Sequence, residues 1–252
     1  MAARATPRRL DASGARWALI TAALLLVFVE RFVPHGRVAL YPFALFATWV
    51  HEMGHGLTAL LVGGRFDALH IFGDASGVAQ IRVPDGAPEA LASAGGLIAP
   101  PLVGALSLAI GRGPRRARAV LGGLSLSMLA SLVVWVRSPV GIVSVSGVAL
   151  LLAAVARWGG PRVAVVGAQL LGLLLGLDAV QRADYLFAAS ARVGGRVQRS
   201  DVSAIADAVG GSYVLWGALI TALGALMLGA GLWAAWRSPG RGAHLTARGE
   251  RP

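Results

Sequence analysis

The chain contains no cysteine, no lysine and no asparagine. Without cysteine it can form no disulfide and offers no thiolate to a metal. Any metal site must therefore be built from histidines and carboxylates. Without lysine, the formal net charge of +11 is carried by arginine alone. Lysine and asparagine codons are A-rich, so the two absences together fit a GC-rich bacterial genome. Charge of either sign is scarce, at 14% of residues, while 56% are hydrophobic. With a mean hydropathy of +0.68, this composition excludes an ordinary soluble globule and describes a polytopic membrane protein. A single signal peptide cannot account for it, because several apolar runs reach spanning length. The chain also lacks a Gly-x-Ser-x-Gly elbow and a P-loop, which removes support for a serine hydrolase or a nucleotide-binding ATPase. The arginines lie in short loops and tails between apolar runs. Anionic lipid headgroups, not nucleic acid, are the partner this placement predicts.

Seven apolar segments follow one another: Trp17 to Val33, Pro42 to Val62, Leu91 to Ile110, Ala119 to Val136, Val140 to Ala156, Val163 to Val180 and Tyr213 to Trp236. Residues 1–16 form a basic tail and residues 237–252 a polar, arginine-rich tail expected to be disordered. Residues 17–236 are expected to form one membrane-embedded unit, an all-α polytopic bundle with a small β-hairpin between the second and third segments. Pro100-Pro101 should kink or break the third segment. The arginines divide almost evenly between the two sides of such a bundle. Only Arg4, Arg8, Arg9 and Arg16, ahead of the first segment, favour an orientation with the N-terminal tail inside.

Two connections are too long for simple turns. In the first, Arg65 to Phe72 and Val78 to Val83 have strand character, and Gly73-Asp74-Ala75-Ser76-Gly77 between them has turn chemistry, so a hairpin is expected. The second runs from Gln181 to Ser212. There Ser200 is placed to cap a short amphipathic helix over Asp201 to Val209, stopped by Gly210-Gly211 and suited to the membrane surface.

The feature that carries chemistry is His51-Glu52-Met53-Gly54-His55, inside the second apolar segment. On a helix, residues i and i+4 lie about 40° apart around the axis, so both imidazoles can reach one metal ion. Glu52 is placed to take a proton from water activated at that ion. The segment from Pro42 to Val62 would be roughly 30 Å long as a helix, about one hydrocarbon thickness. Ionisable groups in a membrane helix cost about 2.5–3.5 kcal/mol for a central charge. The competing reading makes them polar packing groups and leaves that cost without compensation. A zinc hydrolase motif in this setting points to hydrolysis within the bilayer.

A catalytic zinc usually takes three protein ligands. Asp178 is the only acid deep in the later apolar segments, and segments two and six run in the same direction in a seven-segment bundle. Both carry their polar residues toward the C-terminal end, so Asp178 is expected at the depth of His51 and His55, completing a His2Asp site. The alternative for Asp178 is an ion pair with Arg182 at i+4 near the membrane interface. His70 on the hairpin is read as a surface or packing histidine and Asp74 as a turn residue. Asp184, Asp201 and Asp207 are read as solvated acids of a polar connection. Ser93-Ala94-Gly95-Gly96 is expected to permit close helix packing.

With the motif in a membrane helix, Gly63-Gly64 after it, a hairpin next and Asp178 in a later helix, the chain resembles the site-2 protease family of intramembrane zinc metalloproteases. It is most similar to the compact bacterial branch without a PDZ domain. Ser200-Asp201, a short helix and Trp216 are also similar to the C-terminal part of that branch. The resemblance implies Zn2+ held by His51, His55 and the acid of the later helix, with Glu52 as general base. It further implies a multi-pass protein of the bacterial cytoplasmic membrane whose substrates are transmembrane proteins or peptides. It also implies that the hairpin handles substrate. That agrees with a physical expectation: the strand edge at Val78, Ala79, Gln80 and Ile81 can pair with an extended peptide. Two departures stand out: Ala179 follows Asp178 where many members have Gly, and no asparagine is available beside the site. The function class that competes is a metal-binding transporter or an inactive protease-like scaffold. A transporter should spread polar residues over several helices, and a scaffold does not require Glu52.

Overall fold

The computed structural model describes residues 12–181 and 183–237. The two expected tails fall largely outside these residues, except that helix α1 (Ala12–Phe32) begins ahead of Trp17. A short α2 (Gly36–Ala39) precedes α3 (Tyr41–Leu61), the helix that carries the His-Glu-x-x-His motif. Gly63, at φ 81°, stops α3 in the left-handed conformation that glycine tolerates best. Strands β1 (Arg65–Ile71) and β2 (Gly77–Arg82) follow, and then α4 (Ala87–Ile110), α5 (Pro114–Val134), α6 (Pro139–Trp158) and α7 (Pro161–Gln181). Three of these helices open on proline, whose missing N–H costs nothing at a first helical position. Beyond α7 come α8 (Ala183–Leu186), β3 (Ser190–Val193), β4 (Arg196–Arg199), α9 (Asp201–Val209) and α10 (Tyr213–Trp236).

Each expected apolar segment is occupied by a long helix. Among the described residues, five helices are long and apolar enough to cross a membrane: Ala87–Ile110, Pro114–Val134, Pro139–Trp158, Pro161–Asp178 and Tyr213–Trp236. In α1 only Ile20–Val29 forms an apolar stretch. The motif helix α3 is not among the five, and its His51, Glu52 and His55 stand where apolar residues would. The outward faces of α5, α6 and α10 expose Leu126, Val133, Val143, Leu150 and Leu226. Apolar surface of this extent needs lipid or a partner to cover it.

Helix α4 is central, packing against α3, α7, α9 and α10. It continues through Pro100 and Pro101 as one helix, so of the kink or break expected there the break does not occur. Ser93, Gly95 and Gly96 lie where α4 meets α3. A Cβ on Gly95 would come within 2.1 Å of Thr58 Oγ1, and one on Gly54 within 2.4 Å of the Gly95 carbonyl oxygen. The two backbones approach as only small residues permit.

The first hairpin forms as expected, with β1 and β2 antiparallel and Leu69 opposite Ala79. The outer edge of β1 is occupied. Leu69 N–H donates to the Trp135 carbonyl at 2.8 Å, Arg137 N–H to the Leu69 carbonyl at 3.0 Å, and Ile71 N–H to Ser138 Oγ at 2.8 Å. The Phe66 and Trp135 rings stack alongside, 4.8 Å apart. The turn is fastened to α3: Tyr41 donates to the Gly73 carbonyl at 2.8 Å and Thr48 to the Ala75 carbonyl at 2.6 Å. Asp74 is the turn residue expected, accepting from Ser76 N–H at 3.0 Å.

The second connection holds more than a capped helix. The cap itself forms, with Ser200 Oγ accepting from Ser203 N–H at 3.3 Å, and Gly210 follows α9 at φ 87°. Ahead of it, however, β3 and β4 make a second antiparallel hairpin. Gly194 and Gly195 turn it, both at positive φ. Two successive positive φ values match the right-handed strand twist, which is why Gly-Gly suits a two-residue hairpin loop. Val202 and Ile205 are buried in a cluster with Ala90, Leu97, Leu186 and Ile220, whereas Val209 is exposed. Helix α9 is thus seated on α4 and α10 by its apolar face.

Candidate metal and catalytic site

His51 and His55 lie on the buried side of α3, where α4 and α9 cover it. His51 Nε2 and His55 Nε2 face each other at 3.1 Å. The third corner is Asp201, whose Oδ2 lies 3.2 Å from His51 Nε2 and 3.3 Å from His55 Nε2. These three residues are the metal-competent group among the described residues.

The triangle can be tested against a metal. Zinc bonded at about 2.0–2.1 Å in a tetrahedron has neighbouring ligand atoms about 3.3–3.4 Å apart. The observed edges are within a few tenths of an ångström of that. The donor set, two imidazole nitrogens and one carboxylate oxygen, is one that catalytic zinc takes. The tautomer is also arranged. His55 Nδ1 lies 2.9 Å from the Ala92 carbonyl, and a proton donated there leaves the Nε2 lone pair for a metal. The residues present fit the ion.

Asp178 does not complete this site. It is half-buried near the C-terminal end of α7 and has an interaction partner of its own. Helix α7 packs on α4, α5 and α10 rather than on α3. The shared direction of segments two and six fixed depth but not adjacency, and α4 stands between them. The carboxylate that reaches the histidines comes instead from the first residue of α9. Ser200, its cap, donates to the Ala188 carbonyl at 2.6 Å, and Arg199 just before it bridges Glu89 at 2.7 Å and Asp207 at 2.9 Å. Burial alone would raise the Asp201 carboxyl. The facing imidazoles, His55 foremost, outweigh burial and hold it well below the usual carboxylate range. His70 lies on β1 outside the metal-competent group.

Tyr185 of α8 was absent from the sequence expectation. Its hydroxyl donates to Asp201 Oδ2 at 2.7 Å, and its ring stands edge-on to His51 with centroids 6.3 Å apart. Burial and the Asp201 charge hold this phenol far above the ordinary tyrosine range, so it remains a donor. No sequence pattern marks it. Asp201 did carry a signal, namely its place beside a capping serine at the start of a helix.

Glu52 points into the same cavity. Its Oε2 accepts from Ala79 N–H at 2.7 Å. Ala79 pairs with Leu69 of β1, and its N–H is turned the other way. By strand alternation, Gly77, Ala79 and Ile81 present backbone groups on the free edge of β2, while Val78 and Gln80 bond toward β1. A cavity of about 620 Å³ joins these parts, lined by His51, Glu52, His55, Tyr185 and Asp201 together with both hairpins. The hairpin tips meet where Gly194 N–H donates to Ser76 Oγ at 2.9 Å.

The close approach of α4 gives a sharp test. A Cβ on Gly96 would sit 2.1 Å from His55 Nε2. Gly96→Ala should therefore displace the imidazole and weaken zinc affinity by about 10- to 100-fold, as loss of ligand orientation does. Gly123→Ala, where no atom lies within 4 Å of the added carbon, should leave it unchanged. Chelator competition on both variants measures the difference.

A mostly helical chain with, among the described residues, five membrane-length apolar helices, a largely buried His-His-Asp group and a glutamate in the same cavity has the parts of a membrane-embedded metallohydrolase. The family model described as Peptidase M50B-like matches residues 17–231, and the chain belongs to that family. It is accordingly an integral membrane protein of a peptidase family, in agreement with the resemblance drawn from the motif. No curated protein and no solved structure matches the chain.

Proposed function

We propose that this protein is an intramembrane zinc endopeptidase of the site-2 protease type, cutting transmembrane protein or peptide substrates in a bacterial cytoplasmic membrane. The observation that carries the reading is one cavity holding three facing ligand atoms, a glutamate and a free strand edge. His51, His55 and Asp201 would hold Zn2+. Bound there, zinc would supply Lewis acidity, polarising water and the scissile carbonyl. Glu52 takes the proton from the attacking water and returns it to the leaving nitrogen. In this reading α1 and α3 join the five apolar helices in a seven-span unit over residues 17–236.

The β2 edge gives the substrate its shape. A helix keeps its carbonyls in internal hydrogen bonds and must unwind before cleavage. An unwound segment needs new partners for its backbone, and the outward groups of Gly77 and Ile81, with the Ala79 carbonyl, supply them, the Ala79 N–H being held by Glu52. Val78, Ala79, Gln80 and Ile81 together form the substrate strand's neighbour. Ile81→Pro removes one outward N–H without touching the β1 ladder. It should lower cleavage about 10-fold, the worth of one hydrogen bond near 1–1.5 kcal/mol, and leave zinc content unchanged. Equal cleavage by wild type and Ile81→Pro would take the β2 edge out of substrate binding.

The overall reading is tested on the purified full chain in detergent or vesicles. It should carry one zinc per chain and cleave a membrane-spanning peptide, lose cleavage on chelation and regain it with zinc. A zinc-loaded protein that cleaves no such peptide would contradict it.

A further inference from the structure

Among the hydroxyls that line the cavity, that of Tyr185 is bonded to a facing ligand atom, and the catalytic arrangement above does not use it. Tyr185 donates to Asp201 Oδ2, the same oxygen that faces His51 Nε2 and His55 Nε2. Its hydroxyl thus touches one of the three facing ligand atoms, beside the place where a reacting carbonyl would be held. Ser93, Ser190, Arg192 and Gln198 also line the cavity, and three further donors there are committed elsewhere. Thr48 donates to the Ala75 carbonyl, Ser76 Oγ to Asp74, and Arg199 is engaged by Glu89 and Asp207. Leu186, next to Tyr185, is buried against the cluster of α4, α9 and α10. The ring is thereby carried on a packed support, and redirecting the donor requires only rotation of the O–H bond. Negative charge that develops on the substrate needs a preorganised donor.

We propose that Tyr185 is a further catalytic residue, whose hydroxyl turns from Asp201 to the scissile carbonyl oxygen as that oxygen takes up negative charge. The assignment rests on the peptidase reading. In the step concerned, the water oxygen bonds to the carbonyl carbon and the C=O π pair moves onto the carbonyl oxygen. The water proton passes to Glu52. Tyr185 keeps its own proton and only donates a hydrogen bond to the new charge. When the pair returns and the C–N bond breaks, the nitrogen leaves with the proton from Glu52, and Tyr185 turns back to Asp201. A donor that strengthens only as charge develops stabilises the transition state more than the bound substrate.

The test is Tyr185→Phe in the full-length protein, a change that removes one oxygen and keeps the ring. Three quantities are measured beside wild type and Glu52→Gln: zinc affinity by chelator competition, kcat and KM on a membrane-spanning peptide, and affinity for a phosphinic peptide. The phosphinate carries its charged oxygen where the carbonyl oxygen would be. The expected result is a kcat lower by about 100- to 1,000-fold, the usual effect of losing one such donor. KM should stay within about two-fold and phosphinate affinity should fall in step with kcat. Zinc affinity should move by less than about 10-fold, below the usual range for a lost orienting partner. A wild-type kcat would overturn the assignment while leaving the peptidase reading intact, provided Glu52→Gln is inactive. So would a loss of kcat explained by lost zinc, which makes Tyr185 a positioning residue for Asp201. A zinc-loaded wild type without cleavage would overturn both.

Discussion

Asp201→Asn should remove most of the zinc from the purified protein, while Asp178→Asn should leave it in place. Asp201 Oδ2 stands 3.2 and 3.3 Å from the two histidine nitrogens. An amide of the same shape keeps the volume but replaces an anionic oxygen with a neutral, weaker donor to the ion. Its NH2 group would also face imidazole nitrogens that need their lone pairs. Perturbing mere outer-shell partners weakens metal sites about 10- to 100-fold, so loss of a direct ligand should reach at least about 100-fold. Asp178 lies on α7, with α4 between it and α3. Zinc stoichiometry on both variants, in the same detergent, decides the matter. Full zinc in Asp201→Asn with loss in Asp178→Asn would return the third ligand to α7.

The uneven legibility of this site has physical causes. His51, Glu52 and His55 lie within five consecutive positions of one helix, so their mutual geometry follows from helical periodicity alone. The first hairpin was readable because its turn chemistry sits between two alternating strands. Asp201 comes from 146 residues beyond His55, taking the difference of their positions, and nothing periodic links the two. An acid in the first turn of a capped helix has an ordinary explanation, attraction to the positive end of the helix dipole. Neither that attraction nor the reading of Asp201 as a solvated acid says what lies opposite, where the side chain is largely buried against His51 and His55. The similarity of Ser200-Asp201 to the compact protease branch was the better guide. Asp178 misled because the direction of a helix can be counted from its crossings, while its neighbours depend on packing. The second hairpin was hidden by its exposed, arginine-rich strands, which lack a buried face to pattern them. Its Gly194-Gly195 turn was the available signal.

Glu52→Gln should retain zinc, retain the hairpin and lose cleavage by at least about 100-fold, the lower part of the range for a general base. The three consequences separate because Glu52 touches different things with different chemistry. It is not one of the three facing ligand atoms, so the metal does not depend on its charge. Its present partner is Ala79 N–H at 2.7 Å, and a glutamine carbonyl oxygen can still accept that bond, without the assistance of charge. Close packing around it is unchanged: Gly77 already has no side chain, and a Cβ there would lie 2.7 Å from Glu52 Cγ. Only proton transfer is lost, since an amide has no basicity near neutral pH. Zinc analysis, affinity for an uncleaved substrate peptide and single-turnover cleavage therefore form a matched set. Zinc and peptide binding near wild type with cleavage abolished is the expected pattern. Cleavage at the wild-type rate would show that proton transfer runs through another group, and would leave the glutamate as a brace between α3 and β2.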